Sequence, residues 1–190
     1  DRTGKGGAVF DEEKLLWLNG NYIRRYDPQA LTDILIPFIR AAGYDELSFQ
    51  RDRLEGIVDA VRDNLRTLAD IGGFLDLFDD GRYRIDEEAE AVLRGEEAKT
   101  VLTALRKELV LLAAGGEGGV GPEPAPHYRG IIGMVRSIQD NKTGLKGKKL
   151  YLPIRAAVTG RLHGPELDRI FALLGPVSLL RRVEKALALS

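Results

Sequence analysis

From Asn141 to Leu162 the chain carries Lys142, Lys146, Lys148, Lys149, Arg155 and Arg161 and no acidic residue. Ammonium and guanidinium groups gathered without counter-charges offer N–H donors and a positive field to a polyanion. The formal net charge is only -1 at pH 7, so the excess belongs to this segment and not to the bulk composition. A run of lysines alone is more often a solvated loop, which is the reading that charge by itself favours. Other chemistries have less footing. Asp86, Glu87, Glu88 and Glu90 are bunched as carboxylates for acid–base work would be. Bunching at a helix start is better explained by the helix macrodipole and by solvation. The stretch from Gly115 to Pro126 is rich in glycine and proline but lacks the Gly-Lys-Ser/Thr of a phosphate loop and a strand before it, so it reads as a flexible loop. With no cysteine, disulfides and Cys-ligated zinc are excluded, and two histidines, His127 and His163, are too few for a multi-histidine metal site.

The elements that must hold these residues are helical. Asp11 is placed to cap a helix with Glu12 and Glu13 in its first turn, and Leu15, Leu16, Leu18, Tyr22 and Ile23 recur along it as its apolar side. Asp27-Pro28 starts a second helix with Leu31, Ile34, Leu35, Phe38, Ile39 and Ala42 on one face; Gly43 ends it and Pro37 should kink or break it. A third carries Leu54, Ile57, Val58, Val61, Leu65 and Leu68. A longer pattern over residues 97–114 buries Val101, Leu102, Leu105, Leu109 and Leu112. Helices resume with Ile131, Ile132, Val135 and Ile138, and two short patterns, 166–174 and 177–189, close the chain. No period-2 run is long enough for a sheet, so the predicted fold is all-α. A 44% apolar and 30% charged composition is that of an ordinary soluble protein, and no apolar run nears the roughly 20 residues of a membrane span. The N-terminus, with no apolar signal core, reads as a linker or a cut end, and the expected location is cytoplasmic.

Two blocks give these elements a context. Lys146-Gly147-Lys148-Lys149 runs through Pro153-Ile154-Arg155-Ala156-Ala157-Val158-Thr159-Gly160 to Gly164-Pro165-Glu166-Leu167, and Val9-Phe10-Asp11 leads through Lys14 and Trp17 to Tyr22-Ile23-Arg24. Both resemble the C-terminal, anticodon-binding region of bacterial glutamyl-tRNA synthetases, in family order and at opposite ends of the chain. Leu173-Leu174-Gly175 and Leu179-Leu180-Arg181-Arg182 fit the same pattern. The His-Ile-Gly-His-like and Lys-Met-Ser-Lys-Ser-like motifs of the class I catalytic domain are absent; the single methionine, Met134, sits in Gly-Met-Val.

The resemblance implies two consecutive helical subdomains forming an anticodon-binding cage, at 27–83 and 84–190, after a remnant of the connecting region at 1–26. It implies tRNA-Glu as partner, with tRNA-Gln a second if discrimination is lax, together with the protein's own N-terminal catalytic domain, no membrane, and a monomer. Glutamylation, ATP and Mg would belong to the full enzyme, and this chain would need no cofactor and be inactive alone. Residue by residue, Arg155 falls on the position that contacts the first anticodon base, where a planar guanidinium can pair with a base edge or stack. From the residues alone, a helix cap or an acid partner is the better reading of Arg155. Gly164, Pro165 and Leu167 match the turn flanking the first two bases; a plain helix N-terminus is compatible with that role. Lys14 and Trp17 match positions set against the inner side of the tRNA, although a lone tryptophan equally suits a core. Lys146, Lys148 and Lys149 would take phosphates. An ungapped alignment puts Asn64 where glutamate-specific enzymes place an arginine for the third base, with Arg62 or Arg66 able to take over.

Overall fold

Aspartates open helices where the sequence places them. In the computed structural model, which describes residues 11–114, 135, 138 and 144–189, Asp11 Oδ1 accepts from the Lys14 N–H at 3.1 Å and starts α1 (Glu12–Ile23). Asp27 Oδ2 accepts from the Gln29 and Ala30 N–H groups at 3.1 and 3.4 Å and, with Pro28 in the first turn, starts α2 (Pro28–Ala41). Asp86 Oδ1 accepts from the Ala89 N–H at 2.8 Å and starts α5 (Glu87–Leu93), so the acidic cluster is a helix cap and its first turn. The remaining helices are α3 (Arg51–Val61), α4 (Ile71–Leu75), α6 (Glu96–Ala114), α7 (Lys148–Thr159) and α8 (Leu167–Leu187). Among the described residues there is no strand: the fold is all-α, and no helix is long and apolar enough to cross a membrane. The N-terminal segment before Asp11, the loop over 115–126 and Ile131 and Ile132 lie outside the described residues; Val135 and Ile138 are buried.

Helices α2, α3 and α4 pack on one another, α6 packs on both α7 and α8, α5 packs on α7, and α3 meets α8. Leu31, Leu35 and Ile39 bury one face of α2, and Val101, Leu102, Leu105 and Leu109 one face of α6. Ile34, expected in the α2 stripe, lies at its rim and is 36% exposed. Helix α2 runs unbroken through Pro37, because the proline stands on the exposed face, where solvent can serve the carbonyl it leaves without a donor. Helix α3 stops at Val61, short of the stripe read from sequence. A 3-10 turn at Arg62–Asn64 follows, after which extended Leu65 returns to the core. The two closing patterns form one helical span bent at Gly175, whose φ of 72° is followed by Pro176.

Residues 79–86 join the N-terminal helices to the C-terminal ones by capping one of each. Arg82 donates to the Ala42 and Gly43 carbonyls at 3.2 and 2.7 Å beyond the end of α2, its guanidinium 4.0 Å from the Tyr44 ring centroid. Tyr83 donates its hydroxyl to the Ala157 carbonyl at 2.7 Å, and Arg182 Nη1 donates to Val158 O at 2.8 Å, both in the last turn of α7. Helix C-termini leave carbonyls without intrahelical donors and carry negative potential, so a hydroxyl and a cation belong there. Arg182 is only 2% exposed. Its Nε and Nη2 donate to Asp80 Oδ1 at 3.0 and 2.8 Å, and it lies 4.3 Å from the Tyr83 ring centroid. Ser178 and Arg181 donate to the other Asp80 oxygen at 2.9 and 2.8 Å. Gly160 caps α7 with φ 71°, and a Cβ there would lie 1.9 Å from Arg84 O. The site thus requires glycine twice over.

Candidate nucleic-acid interface

Helix α7 presents Arg155 one turn before its C-terminus. The Thr159 hydroxyl lies 2.9 Å from both the Arg155 and Arg161 carbonyls and fixes the chain where it leaves the helix. Arg155 Nη1 donates to the Pro165 carbonyl at 2.9 Å. The structure therefore joins Arg155 to the Gly164–Pro165 turn. Among the described residues no carboxylate pairs with this guanidinium, and burial lowers its pKa from the ordinary arginine value. A half-buried cation with no counter-charge and donors to spare is equipped to receive a carbonyl, a ring nitrogen or a phosphate oxygen.

The turn beside it is open. Gly164 is exposed at φ 136°, with nothing within 4 Å of where a Cβ would stand. Pro165 is buried and Leu167 packs against the core, which anchors the turn from below. Glu166 is the N-cap of α8 and makes no side-chain cap, and among the described residues no side chain accepts from the first N–H groups of that helix. The turn is a helix start, and its Pro165 carbonyl faces Arg155.

The lysines lie at the other end of α7. Lys148 and Lys149 occupy its first turn, which holds no acid, and Lys146 precedes it. Cations there add to the positive end of the helix dipole instead of offsetting it, a placement that costs stability unless an anion is bound. Lys149 Nζ lies 2.9 Å from Glu97 Oε1. Their hydrogen bond raises the lysine pKa and lowers that of Glu97. Lys146 and Lys148 have no acid partner among the described residues.

Asn64 closes the 3-10 turn after α3, exposed, and among the described residues no hydrogen bond engages its side chain. The two arginines that could replace it are committed elsewhere. Arg62 Nε lies 3.3 Å from Asp59 Oδ1, and Arg66 Nη2 donates to Glu13 Oε2 at 2.7 Å. The Arg66 carbonyl also accepts from Asn19 Nδ2 at 2.5 Å, so Arg66 ties the turn to α1. On α1 the structure corrects the apolar stripe: Ile23 is buried, whereas Leu15, Leu18 and Tyr22 are exposed. Trp17 is 65% exposed and not a core residue. Lys14 and Trp17, three apart on the helix, stand side by side on the surface.

Sequence reading missed Arg169. From the first turn of α8 its Nη1 donates to both the backbone carbonyl and Oδ2 of Asp59 on α3, at 2.8 and 2.9 Å. The partners are 110 residues apart, and nothing local in either marks the other.

Residues 131–187 match the family described as "Anticodon binding domain". The chain is 45% identical over 187 residues to Glutamate–tRNA ligase 2 of Syntrophus aciditrophicus (strain SB), covering 98% of this chain and 36% of that protein. It is 32% identical over 186 residues to the Glutamate–tRNA ligase of Carboxydothermus hydrogenoformans, covering 96% of this chain and again 36% of the relative. The chain thus spans about a third of the length of the curated relatives it matches. A crystal structure of a glutamate tRNA ligase from Elizabethkingia meningosepticum, in complex with its amino acid, superposes with a TM-score of 0.69 at 18% identity, over 94% of this chain and 32% of that one. The similarity first drawn from two blocks therefore holds along nearly the whole chain.

Proposed function

We propose that this chain, whose residues 131–187 match an anticodon binding domain and which aligns along nearly its whole length with about a third of glutamate–tRNA ligases, binds tRNA-Glu and reads its anticodon. One observation carries this reading: Arg155, charged, half-buried and without an acid, is held on the Gly164–Pro165 turn at an uncapped helix start. Arg155 takes the edge or face of the first anticodon base, and the turn's backbone N–H groups serve its neighbour. Lys146 and Lys148 contact phosphates, and Lys149 does so after leaving Glu97. Asn64 meets the third base with an amide that can donate or accept, so tRNA-Gln is bound as well. Residues 27–83 supply the third-base site, residues 84–190 the others, and residues 1–26 the connection.

Glutamylation, with its ATP and Mg, belongs to the two thirds of the relatives' length that this chain does not span. The exposed Leu15, Leu18 and Tyr22 of α1 favour a protein contact, which we assign to that catalytic part of a monomeric cytoplasmic enzyme. The same face also supports the other reading, a stand-alone module that binds a separate protein or RNA. Binding of this chain to the tRNA-Glu anticodon stem-loop decides between them. Arg155→Ala should weaken that complex by about 1–3 kcal/mol, and by less when the first base is changed. Equal binding by the variant and the unmodified chain would refute anticodon reading.

A further inference from the structure

We infer that Asp59 and Arg169 form a joint that couples the third-base site to the first-base site; the inference rests on the anticodon reading above. Asp59 divides its two carboxylate oxygens between the two groups of helices. Oδ1 faces Arg62 Nε at 3.3 Å, and Oδ2 accepts from Arg169 Nη1 at 2.9 Å. Arg62 opens the 3-10 turn that Asn64 closes. Arg169 lies in the first turn of α8, with Nε 3.8 Å from Glu166 Oε2, and the Pro165 carbonyl just before that turn holds Arg155 at 2.9 Å. Charge contacts therefore run from the Asn64 turn through Arg62, whose Nε pairs with Asp59 without a hydrogen bond, to Asp59, Arg169 and the turn that seats Arg155.

Two features make this a positioning contact and not only an ion pair. Arg169 grips the main-chain carbonyl of Asp59 at 2.8 Å as well as its carboxylate, so it fixes where the end of α3 stands. One turn earlier, Gly56 lies so close to α8 that a Cβ would come within 3.1 Å of Leu173 Cδ2. Apolar packing and the charged grip together set the spacing between the two helices. Bases of one anticodon loop have a fixed separation, so two sites held at a matching spacing bind them together better than independently. A third base other than the cytosine or guanine that Asn64 accommodates displaces the Asn64 turn, which pulls on Asp59, then on α8, and misplaces Arg155. Arg169 and Asp59 are positioning residues in this scheme and touch no base.

The test measures affinities of the 190-residue chain for four anticodon stem-loops: the tRNA-Glu loop, that loop changed at the first base, at the third base to uracil, which neither tRNA-Glu nor tRNA-Gln carries there, and at both. In the unmodified chain the two changes should be non-additive by about fivefold or more. Arg169→Met should bring that factor close to one and leave the salt slope and the thermal midpoint in place, readouts that removal of a phosphate ligand or damage to the fold would move. Arg169→Lys, which keeps one donor and the charge, should restore part of the factor. If Arg169→Met does not fold, Asp59→Asn removes the charged half of the joint and leaves the main-chain carbonyl to hold the fold, so it should lower the factor in part. Undiminished non-additivity in the folded variants overturns the joint, as does additivity in the unmodified chain. If the unmodified chain discriminates none of the four loops, the anticodon reading falls, and the joint with it.

Discussion

Replacing Asp80 by alanine tests the buried grip between residues 79–86 and the C-terminal helices. The substitution removes the acceptor of Arg182 Nε and Nη2 and of Ser178 and Arg181. Arg181 is well exposed and its share is small. Arg182 is not: it keeps only the Val158 carbonyl and the Tyr83 ring, inside the protein and with no counter-charge. Stranding a buried charge costs about 3–5 kcal/mol, and that is the expected loss for Asp80→Ala in urea unfolding followed by far-UV circular dichroism. Arg182→Met in the same background removes the stranded charge and leaves the Val158 carbonyl short of a donor, so the double variant should lose only about 1–3 kcal/mol. The pH dependence has a definite sign. Burial pushes the Asp80 carboxyl up, but hydrogen bonds from Arg182 and Ser178 and the charges of both arginines outweigh it and hold its pKa below the ordinary aspartate value. A carboxylate depressed in the folded state stabilises above its unfolded pKa of about 3.9 and ceases to do so as the pH falls through its folded value. The gap between the unmodified chain and Asp80→Ala should therefore narrow as the pH drops below about 4. A cost under about 1 kcal/mol at neutral pH, or a double variant no better than the single one, would refute a buried charge that depends on Asp80.

Asn64→Arg should favour the cytosine of tRNA-Glu over the guanine of tRNA-Gln at the third anticodon position; an unchanged ratio in paired binding curves would show that the 3-10 turn does not face that base. Removing Lys146 and Lys148 together should flatten the dependence of binding on log salt by about 0.7 for each phosphate no longer neutralised, for all RNAs alike. Lys149→Ala should flatten it less, because Glu97 already holds that ammonium, and an equal effect would mean the pair opens at no cost. Gly160→Ala should destabilise the fold by about 2–5 kcal/mol, combining the left-handed backbone with the collision at Arg84 O, and an unchanged thermal midpoint would contradict the close approach.

Helix starts were legible because a cap is written within four residues: Asp11, Asp27 and Asp86 each accept from an N–H two or three positions ahead. The core of α6 was legible because a period of 3.6 needs no knowledge of what covers it. Periodicity shows which residues share a face and not whether anything packs on it, so Leu15, Leu18 and Tyr22 read as buried and stand exposed. It also does not register a turn, and Leu65 kept the α3 pattern alive after the helix had ended at Val61. Within the candidate site, residue identities came from matched blocks, whereas the contact of Arg155 with Pro165 emerges only once α7 and α8 are folded together. Arg169 and Arg182 escaped because their partners lie 110 and 102 residues away. Ion pairs at such distance leave no mark on local sequence.

Arg82 and Tyr83 are adjacent in the chain, yet they complete their bonds at different moments of synthesis. Arg82 closes on Gly43, 39 residues behind it, as soon as both have left the ribosome. Tyr83 must wait for Ala157, a further 74 residues, which at ordinary elongation rates is about 4–15 s. Asp80 waits longer still, for Arg182. During that interval the N-terminal helices can stand folded with a half-made clasp, and it shuts only when the last helix arrives.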